Sequence, residues 1–307
     1  MPCFFDSDSP SLHSSLKMTE DQKDPDFNLV DGHGYMLDRN YAAASRLNFQ
    51  FYLWKESLQF NIHPSIPVPV DNARIADVAT GTAIWLIDSA RNLPTAQLDG
   101  FDINLGQAPL QQWLPSNVTL RHWNIFDDIP QDMLEKYDIV HVRLLILVVE
   151  NSDPRPIIRK LIKMLKPGGY LQWDDLNYPD TCVKAIDPSL PTPALHEFRK
   201  LAYSRGRHDW TLQLADITRD EGLEEAKLYH FEDRIELAKA NGEQHLLTME
   251  EFASRLAEVG KVDEAAKLYQ LIRDVYKESR AGAALSMPRV VSVARKARAL
   301  DISPVGT

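Results

Sequence analysis

The chain has 307 residues, of which 44% are hydrophobic and 25% are charged, which fits one globular domain with room for insertions. Its formal net charge of −10 disfavours a nucleic-acid partner, because binding phosphate groups needs a basic face. The two cysteines, Cys3 and Cys182, predict a reducing, cytoplasmic setting rather than a disulfide framework. The sequence contains no apolar run typical of a signal peptide or a membrane span, so we expect no membrane partner.

The N-terminal part of the sequence predicts two segments. Residues 1–31 are rich in Ser, Asp and Pro and predict a flexible tail, whereas residues 32–70 predict a helix followed by a proline-rich linker. One apolar face is expected on this helix, because four side chains recur at helical spacing: Leu47, Phe51, Trp54 and Leu58.

Two interpretations of this helix stay open. Its polar side chains could be solvated on a helix that packs over the domain. Alternatively the helix is a lid whose polar side chains reach a ligand. The candidates for such contacts with a cofactor or acceptor are Tyr35, Tyr41, Arg46 and Gln50.

The next stretch has the order strand, turn, helix, strand. An apolar segment from Arg74 to Val78 predicts a strand, small residues at 79–83 predict a tight turn, and a helix begins near Ile84. A second strand ends in Asp102. This order predicts a nucleoside-binding unit, because small residues let a ligand approach the backbone and an acid after the second strand can accept hydrogen bonds from ribose hydroxyls.

The positions of the small residues indicate the cofactor. A dinucleotide fingerprint would need a small residue at position 84, where this chain has Ile84, and a phosphate loop would need Gly-Lys-Ser/Thr. Small residues at 79, 81 and 83, with Asp77 before them, are instead similar to the acid-x-Gly-x-Gly-x-Gly loop of class I S-adenosylmethionine (SAM) methyltransferases. Ala79 and Ala83 replace two of the three glycines, although Ala tolerates positive φ poorly.

Longer motifs resemble those of fungal small-molecule SAM methyltransferases of secondary metabolism. These motifs are Ser45-Arg-Leu-Asn48, His63-Pro-Ser-Ile66, Asp77-Val-Ala-Thr-Gly-Thr-Ala-Ile-Trp85, Gly100-Phe-Asp-Ile103 and Lys166-Pro-Gly-Gly-Tyr-Leu-Gln-Trp-Asp-Asp175. The resemblance implies an α/β, Rossmann-like class I methyltransferase fold with a seven-stranded, mostly parallel sheet and a helical N-terminal lid. It places the catalytic domain at 71–300, with helical insertions at about 178–218 and 245–285. One departure is Phe51, where many relatives carry His.

The resemblance also implies SAM as the cofactor, a small-molecule methyl acceptor and no metal. Adenine contacts are expected after the third strand, which the sequence places at 117–124. The candidate cofactor-binding residues are Tyr35, Arg46, Gln50, Asp77, Ala79, Gly81, Asp102, Ile103, Asn124, Ile125, Phe126, His141 and Arg143.

The fourth and fifth strands carry the candidate proton acceptors. His141 and Arg143 lie near the end of the apolar fourth strand, at the point where the order of a class I sheet reverses. Asp174 and Asp175 follow at the end of the fifth strand. His141, then Asp174 and Asp175, are the candidates for a general base, and the alternative is that all three are structural.

The C-terminal part predicts a sixth strand from Leu223, a helix that opens at the capping box Thr248-Met-Glu-Glu251, a second helix, and an antiparallel seventh strand at 289–296. The sequence therefore predicts a SAM-dependent methyltransferase acting on a nitrogen, oxygen or sulfur atom of a small molecule. Two alternatives stay open: a SAM-binding regulator that does not methylate, and an enzyme that uses the pocket for a ring-forming rearrangement. The oligomeric state is left open.

Overall fold

The computed structural model describes residues 37–203 and 206–298. The expected tail at 1–31 and the candidate Tyr35 lie outside the described residues. The helices are α1 (Tyr41–Leu58), α2 (Ile84–Asn92), α3 (Arg155–Met164), α4 (Pro193–Tyr203), α5 (Leu214–Asp220), α6 (Ala238–Glu258) and α7 (Val262–Arg280). The strands are β1 (Arg74–Val78), β2 (Gln97–Asp102), β3 (Val118–His122), β4 (Tyr137–Arg143), β5 (Leu165–Leu176), β6 (Cys182–Ala185), β7 (Leu223–Phe231), β8 (Ala283–Ser286) and β9 (Arg289–Lys296).

Seven strands form one sheet in the order β3-β2-β1-β4-β5-β9-β7. The pairings from β3 to β5 are parallel, and β9 runs antiparallel to both β5 and β7. The order reverses between β1 and β4, so the loops that follow these two strands diverge and leave a crevice at their carboxyl ends. This sheet order defines the class I methyltransferase fold, and the predicted fold class is confirmed.

The central strands are buried because the sheet is covered by helices. Ile75 and Val78 of β1, and Val140 and Val142 of β4, are at most 2% exposed. Parallel strands that are covered on both faces carry such continuous apolar runs. Polar side chains inside this sheet, such as Asp77 of β1, must therefore find partners within the protein.

Helix α1 begins at the cap Asn40, whose side-chain oxygen accepts the backbone N–H groups of Ala42 and Ala43. The helix packs against α2 and α6. Phe51, Trp54 and Leu58 are buried, so the helical spacing of the apolar residues correctly identified the packed face of the helix.

Two elements differ from the sequence-based expectation. Helix α6 begins at Ala238, so Thr248 lies inside it and bonds to Gln244 instead of opening a helix. Strands β6 and β8 form a separate antiparallel pair that the sequence pattern did not indicate. Strand β5 begins at Leu165 and has an irregular register with β4.

Cys182 is buried and disulfide-bonded. The small number of cysteines is therefore no longer an argument for a reducing compartment, and the cytoplasmic location stays a prediction. Among the described residues, no helix has both the length and the apolar character that crossing a membrane requires.

Candidate cofactor site

A cleft opens at the carboxyl ends of β1, β2, β3 and β4, beneath α1, and encloses about 1320 Å³ including its open mouth. Ligands of open α/β sheets bind in such a crevice at the reversal of strand order. Most of the candidate cofactor residues line this cleft, and their contact with a cofactor stays a prediction. They are Gln50, Asp77, Ala79, Gly81, Asp102, Ile103, Asn124, Ile125, Phe126, His141 and Arg143.

The turn after β1 keeps the backbone shape of a glycine-rich loop although two glycines are replaced. Ala79, Gly81 and Ala83 have φ values of 59°, 57° and 58°, which lie in the left-handed region. A residue with a β-carbon is less stable there by about 1–2 kcal/mol. The surrounding structure therefore holds Ala79 and Ala83 at positive φ although alanine prefers negative φ, and such strain is common at ligand-binding loops.

Asp102 lies at the end of β2 and faces the turn. One carboxylate oxygen accepts the N–H of Gly81 at 2.8 Å, and the other accepts the N–H of Asn104 at 3.0 Å. Burial raises the pKa of Asp102, although these backbone hydrogen bonds favour its ionised form. Because an ionised carboxylate can accept about four hydrogen bonds, Asp102 retains capacity for the hydroxyls of a bound ribose.

The segment after β3 forms another wall of the cleft. Asn124, Ile125 and Phe126 line it, and the side-chain oxygen of Asn124 accepts the N–H of Phe126 at 3.0 Å. This leaves the amide N–H groups of Asn124 as the donors that could bind the edge of an adenine ring. The position agrees with the adenine contact that the family resemblance implied.

His141 is held between two carboxylates rather than facing the cleft with a free nitrogen. Its Nδ1 lies 2.7 Å from Asp77 Oδ1, and its Nε2 lies 3.1 Å from Asp174 Oδ2. Only 1% of the residue is exposed. Because both ring nitrogens face carboxylates, this geometry disfavours direct proton transfer from a methyl acceptor to His141, and its role as a general base stays a prediction.

Asp174 and Asp175 are also absent from the walls of the cleft, and both are fully buried. Asp174 accepts hydrogen bonds from Arg143 and Gln172 in addition to His141. Although burial opposes its ionisation, Arg143 and His141 hold the pKa of Asp174 below its ordinary value. It is therefore a charge partner of these residues rather than a base at the acceptor.

Asp175 points to the other side of β5, as alternation along a strand requires. It accepts hydrogen bonds from Trp173 Nε1 at 3.1 Å and from the N–H of Leu176 at 2.9 Å. Burial raises the pKa of Asp175 to about 7. A perturbed pKa of this kind is typical of catalytic acids, but the position of Asp175 offers no contact with a ligand in the cleft.

Arg46 does not reach the cleft either. Its guanidinium forms a two-pronged ion pair with Glu251 of α6, with distances of 2.5 and 3.2 Å, and the Arg46 side chain is 3% exposed. The polar residues of the predicted lid segment that line the cleft include Arg39 and Gln50. Arg46 therefore joins α1 to α6, which disfavours a contact with the cofactor, and that contact stays a prediction.

The cleft also contains side chains that were not among the candidate cofactor residues. Trp54 and Trp85 line it, as does Gln107. The ring of Trp54 lies 5.0 Å from the guanidinium carbon of Arg143, a cation–π distance. The buried donors Trp85 Nε1 and Gln107 Nε2 have no hydrogen-bond partner within the described residues. The sequence signal that could have identified them is position: Trp85 follows the turn closely, and Gln107 follows Asp102.

Comparisons with known proteins support the resemblance that the motifs indicated. The chain is 34% identical to methyltransferase grgD of a Penicillium species over 47% of this chain and 52% of that protein. It is 32% identical to N-methyltransferase tcpN of Claviceps purpurea over 57% of this chain and 60% of that protein. A secondary metabolism regulator of Hypocrea atroviridis is 30% identical over 36% of this chain and 35% of that protein.

No protein-family model matches the chain. The chain spans about half to three-fifths of the length of the first two relatives. Within the matched region, its similarity to fungal methyltransferases is confirmed. A match over this part of the relatives does not determine the activity or the substrate of the whole protein.

Proposed function

We propose that this chain is a SAM-dependent methyltransferase that acts on a nitrogen, oxygen or sulfur atom of a small molecule. The observation that carries the proposal is the joint placement of the left-handed turn at 79–83 and Asp102 in one cleft of a class I sheet. The names of grgD and tcpN support methyl transfer, and tcpN favours nitrogen as the acceptor atom.

The residues present fit SAM. Asp102 offers carboxylate oxygens for ribose hydroxyls, and Asn124 offers amide donors for adenine, with Ile103 and Ile125 beside them in the cleft. Gln107, which follows Asp102 by five residues, has a buried Nε2 donor with no hydrogen-bond partner among residues 37–203 and 206–298, and a ligand could satisfy this donor. When bound, SAM supplies a methyl group on a positively charged sulfur.

The chain's own contribution is to bind, orient and exclude water. Leu47, Phe51 and Trp54 of α1 present apolar surface to the cleft, and Leu144 and Val148 face it from the segment after β4. Apolar walls keep water from the reacting atoms, and fixed partners align them. His141, Asp174 and Asp175 are not placed to remove a proton, so we propose that the acceptor reacts through a lone pair that is free at neutral pH, as in an uncharged amine.

The test is incubation of the purified chain with labelled SAM and a fractionated fungal extract. We expect one labelled small molecule whose mass is greater by one methyl group in place of a hydrogen, and Asp102→Ala should lose most of this labelling. Calorimetry with S-adenosylhomocysteine checks the cofactor separately. No measurable binding of S-adenosylhomocysteine by the parent protein would overturn the proposal.

The similarity to the secondary metabolism regulator favours one alternative, a protein that binds SAM without transferring the methyl group. In that case S-adenosylhomocysteine binds but no extract fraction becomes labelled. A rearrangement enzyme, the other alternative, would convert a compound in the extract without changing its mass. Under the main proposal we retain a domain at 71–300, a preceding helical segment at 32–70 and a cytoplasmic location.

A further inference from the structure

The environment of His141 carries an inference about its charge. A neutral imidazole has one N–H and one acceptor nitrogen, whereas an imidazolium donates from both. Both nitrogens of His141 face carboxylate oxygens, at 2.7 Å from Asp77 and 3.1 Å from Asp174. A neutral ring would therefore direct a lone pair at one carboxylate, whereas an imidazolium satisfies both.

The other partners of the two carboxylates favour their ionised forms. Asp174 accepts hydrogen bonds from Arg143 Nε at 3.1 Å, from Arg143 Nη2 at 2.8 Å and from Gln172 Nε2 at 2.9 Å. Asp77 Oδ2 accepts the hydroxyl of Thr80 at 2.6 Å. Because donors surround both acids, the shared proton belongs on His141 rather than on either carboxyl group.

The count of charges leads to the same result. Asp77 and Asp174 carry one negative charge each, and Arg143 and a protonated His141 carry one positive charge each. This buried set is neutral only when His141 is charged, and a neutral His141 would leave an uncompensated carboxylate inside the sheet. The ring of Trp85 also stacks on the imidazole, with centroids 4.1 Å apart and planes at 8°, which favours a cation at this position.

This arrangement connects His141 to the turn of the cofactor site. Asp77 binds His141 through one oxygen and the Thr80 hydroxyl through the other, and Gly81, the next residue of the turn, donates its N–H to Asp102. We propose that His141 is a positioning residue that is charged at neutral pH, whose imidazolium holds Asp77 and thereby keeps the Thr80–Gly81 turn in the shape that binds the cofactor. The role of the turn rests on the proposed function, whereas the charge of His141 does not.

The charged groups around the ring set the direction of a pH effect. Although burial lowers the pKa of His141, Asp174 and Asp77 raise it above its ordinary value of 6.5. The contribution of His141 to stability is therefore fully present below pH 6.5 and is lost as the pH rises through its folded-state pKa. Asp175 titrates separately, since burial raises its pKa to about 7, and burial lowers the pKa of the nearby His63.

The first test reads the charge directly. Nitrogen-15 NMR of the full chain with labelled histidine should show both ring nitrogens of His141 protonated at pH 7.5, assigned by their loss in His141→Gln or, if that variant does not fold, by proximity to the Trp85 ring. One protonated and one bare nitrogen at this pH would overturn the proposal. This measurement needs no ligand, so it stays decisive if S-adenosylhomocysteine fails to bind and the proposed function is lost.

The second test reads the positioning role through charge balance. His141→Gln should weaken S-adenosylhomocysteine binding about 10- to 100-fold, the loss expected from one hydrogen-bonded charge. Adding Asp174→Asn makes the buried set neutral again, with Asp77 balanced by Arg143, and should recover most of this loss. The control is His122→Gln, an exposed histidine on β3, which should bind as the parent does.

An unchanged affinity in His141→Gln, or no recovery in the double variant, would contradict the positioning role. If His141→Gln does not fold, the affinity of the parent protein is measured from pH 6 to pH 10 instead. It should fall as the pH rises through the folded-state pKa of His141, and a constant affinity across this range would contradict the proposal.

Discussion

The two sides of the cleft differ in how their polar groups are satisfied. On the side of β1 and β2, Asp102 binds two backbone N–H groups and keeps capacity for a ligand, and Gln107 Nε2 has no hydrogen-bond partner in the part of the chain that the structure describes. On the side of β4 and β5, His141 binds Asp77 and Asp174, and Asp174 also accepts a hydrogen bond from Arg143. Both sides have acids and bases at strand ends, but the first can bind a ligand and the second maintains the shape of the site.

This difference shows how a strand-end acid should be interpreted. An acid that follows a central strand either faces the crevice or lies between strands, and the two positions have opposite consequences for its chemistry. A carboxylate that is already saturated with donors has little capacity to act on a ligand. The predictions below test whether the division between the ligand-binding side and the structural side holds.

The largest expected effect is at a structural contact outside the cleft, the ion pair between Arg46 of α1 and Glu251 of α6. Arg46→Ala leaves Glu251, whose side chain is 12% exposed, with an unpaired charge, and we expect a loss of about 3 kcal/mol in the free energy of unfolding. Urea denaturation measures this loss. Pairing Arg46→Met with Glu251→Met should recover most of it, since both charges are removed together.

Cofactor affinity gives the complementary readout for this pair. Calorimetry at a temperature where Arg46→Ala remains folded should give the parental affinity for S-adenosylhomocysteine. A weaker affinity in a folded variant would place Arg46 back among the cofactor contacts.

The next effect is on the ligand-binding side. Asp102→Ala removes a charge-assisted hydrogen-bond acceptor and should weaken S-adenosylhomocysteine binding by about 1.5–3 kcal/mol. Calorimetry measures the change. The control is Asp132→Ala, an exposed acid that pairs with Arg121, and its affinity should match that of the parent. Equal affinities for Asp102→Ala and the parent would remove Asp102 from the site.

A smaller effect is expected in the turn. Ala79 is exposed and has φ 59°, so Ala79→Gly relieves the left-handed strain but adds freedom to the unfolded chain. We expect a net gain in stability of about 0.5–1 kcal/mol, as measured by thermal unfolding.

The matched control for the turn is Ala83→Gly. Ala83 also has a left-handed φ but is fully buried. Ala83→Gly therefore removes a buried methyl group, which costs about 0.8 kcal/mol of stability. This cost offsets the gain from relieving the left-handed strain, so we expect little net change in stability. A destabilised Ala79→Gly variant would show that packing of the Ala79 β-carbon contributes more stability than its left-handed strain costs.

The smallest effect is expected in the lid. Gln50 and Leu47 of α1 line the cleft and are only partly buried. Residues 41–50 should therefore gain protection from hydrogen exchange when S-adenosylhomocysteine binds, because a ligand restricts local opening of the helix. Identical protection with and without the ligand would make α1 a fixed structural helix.

Several elements could be predicted because their signals are local. Strands β1 and β9 begin and end at the residues that the sequence indicated. The start of α6 was missed because Asn241 and Gly242 are poor helix formers. Both are buried, and the Asn241 side chain accepts a hydrogen bond from Arg289 at 2.9 Å, so tertiary contacts sustain the helix through a stretch that disfavours it.

The sequence by itself determined the class of fold, the turn after β1 and the acid at the end of β2, since all of these depend on residues that are close together in the chain. Only the tertiary structure decided which polar side chains remain available to a ligand. His141 finds its partners 64 and 33 residues away, and Arg46 finds Glu251 at a separation of 205 residues. A sequence shows the chemistry of each side chain, whereas packing determines the partner that satisfies it, and that partner distinguishes a binding residue from a structural one.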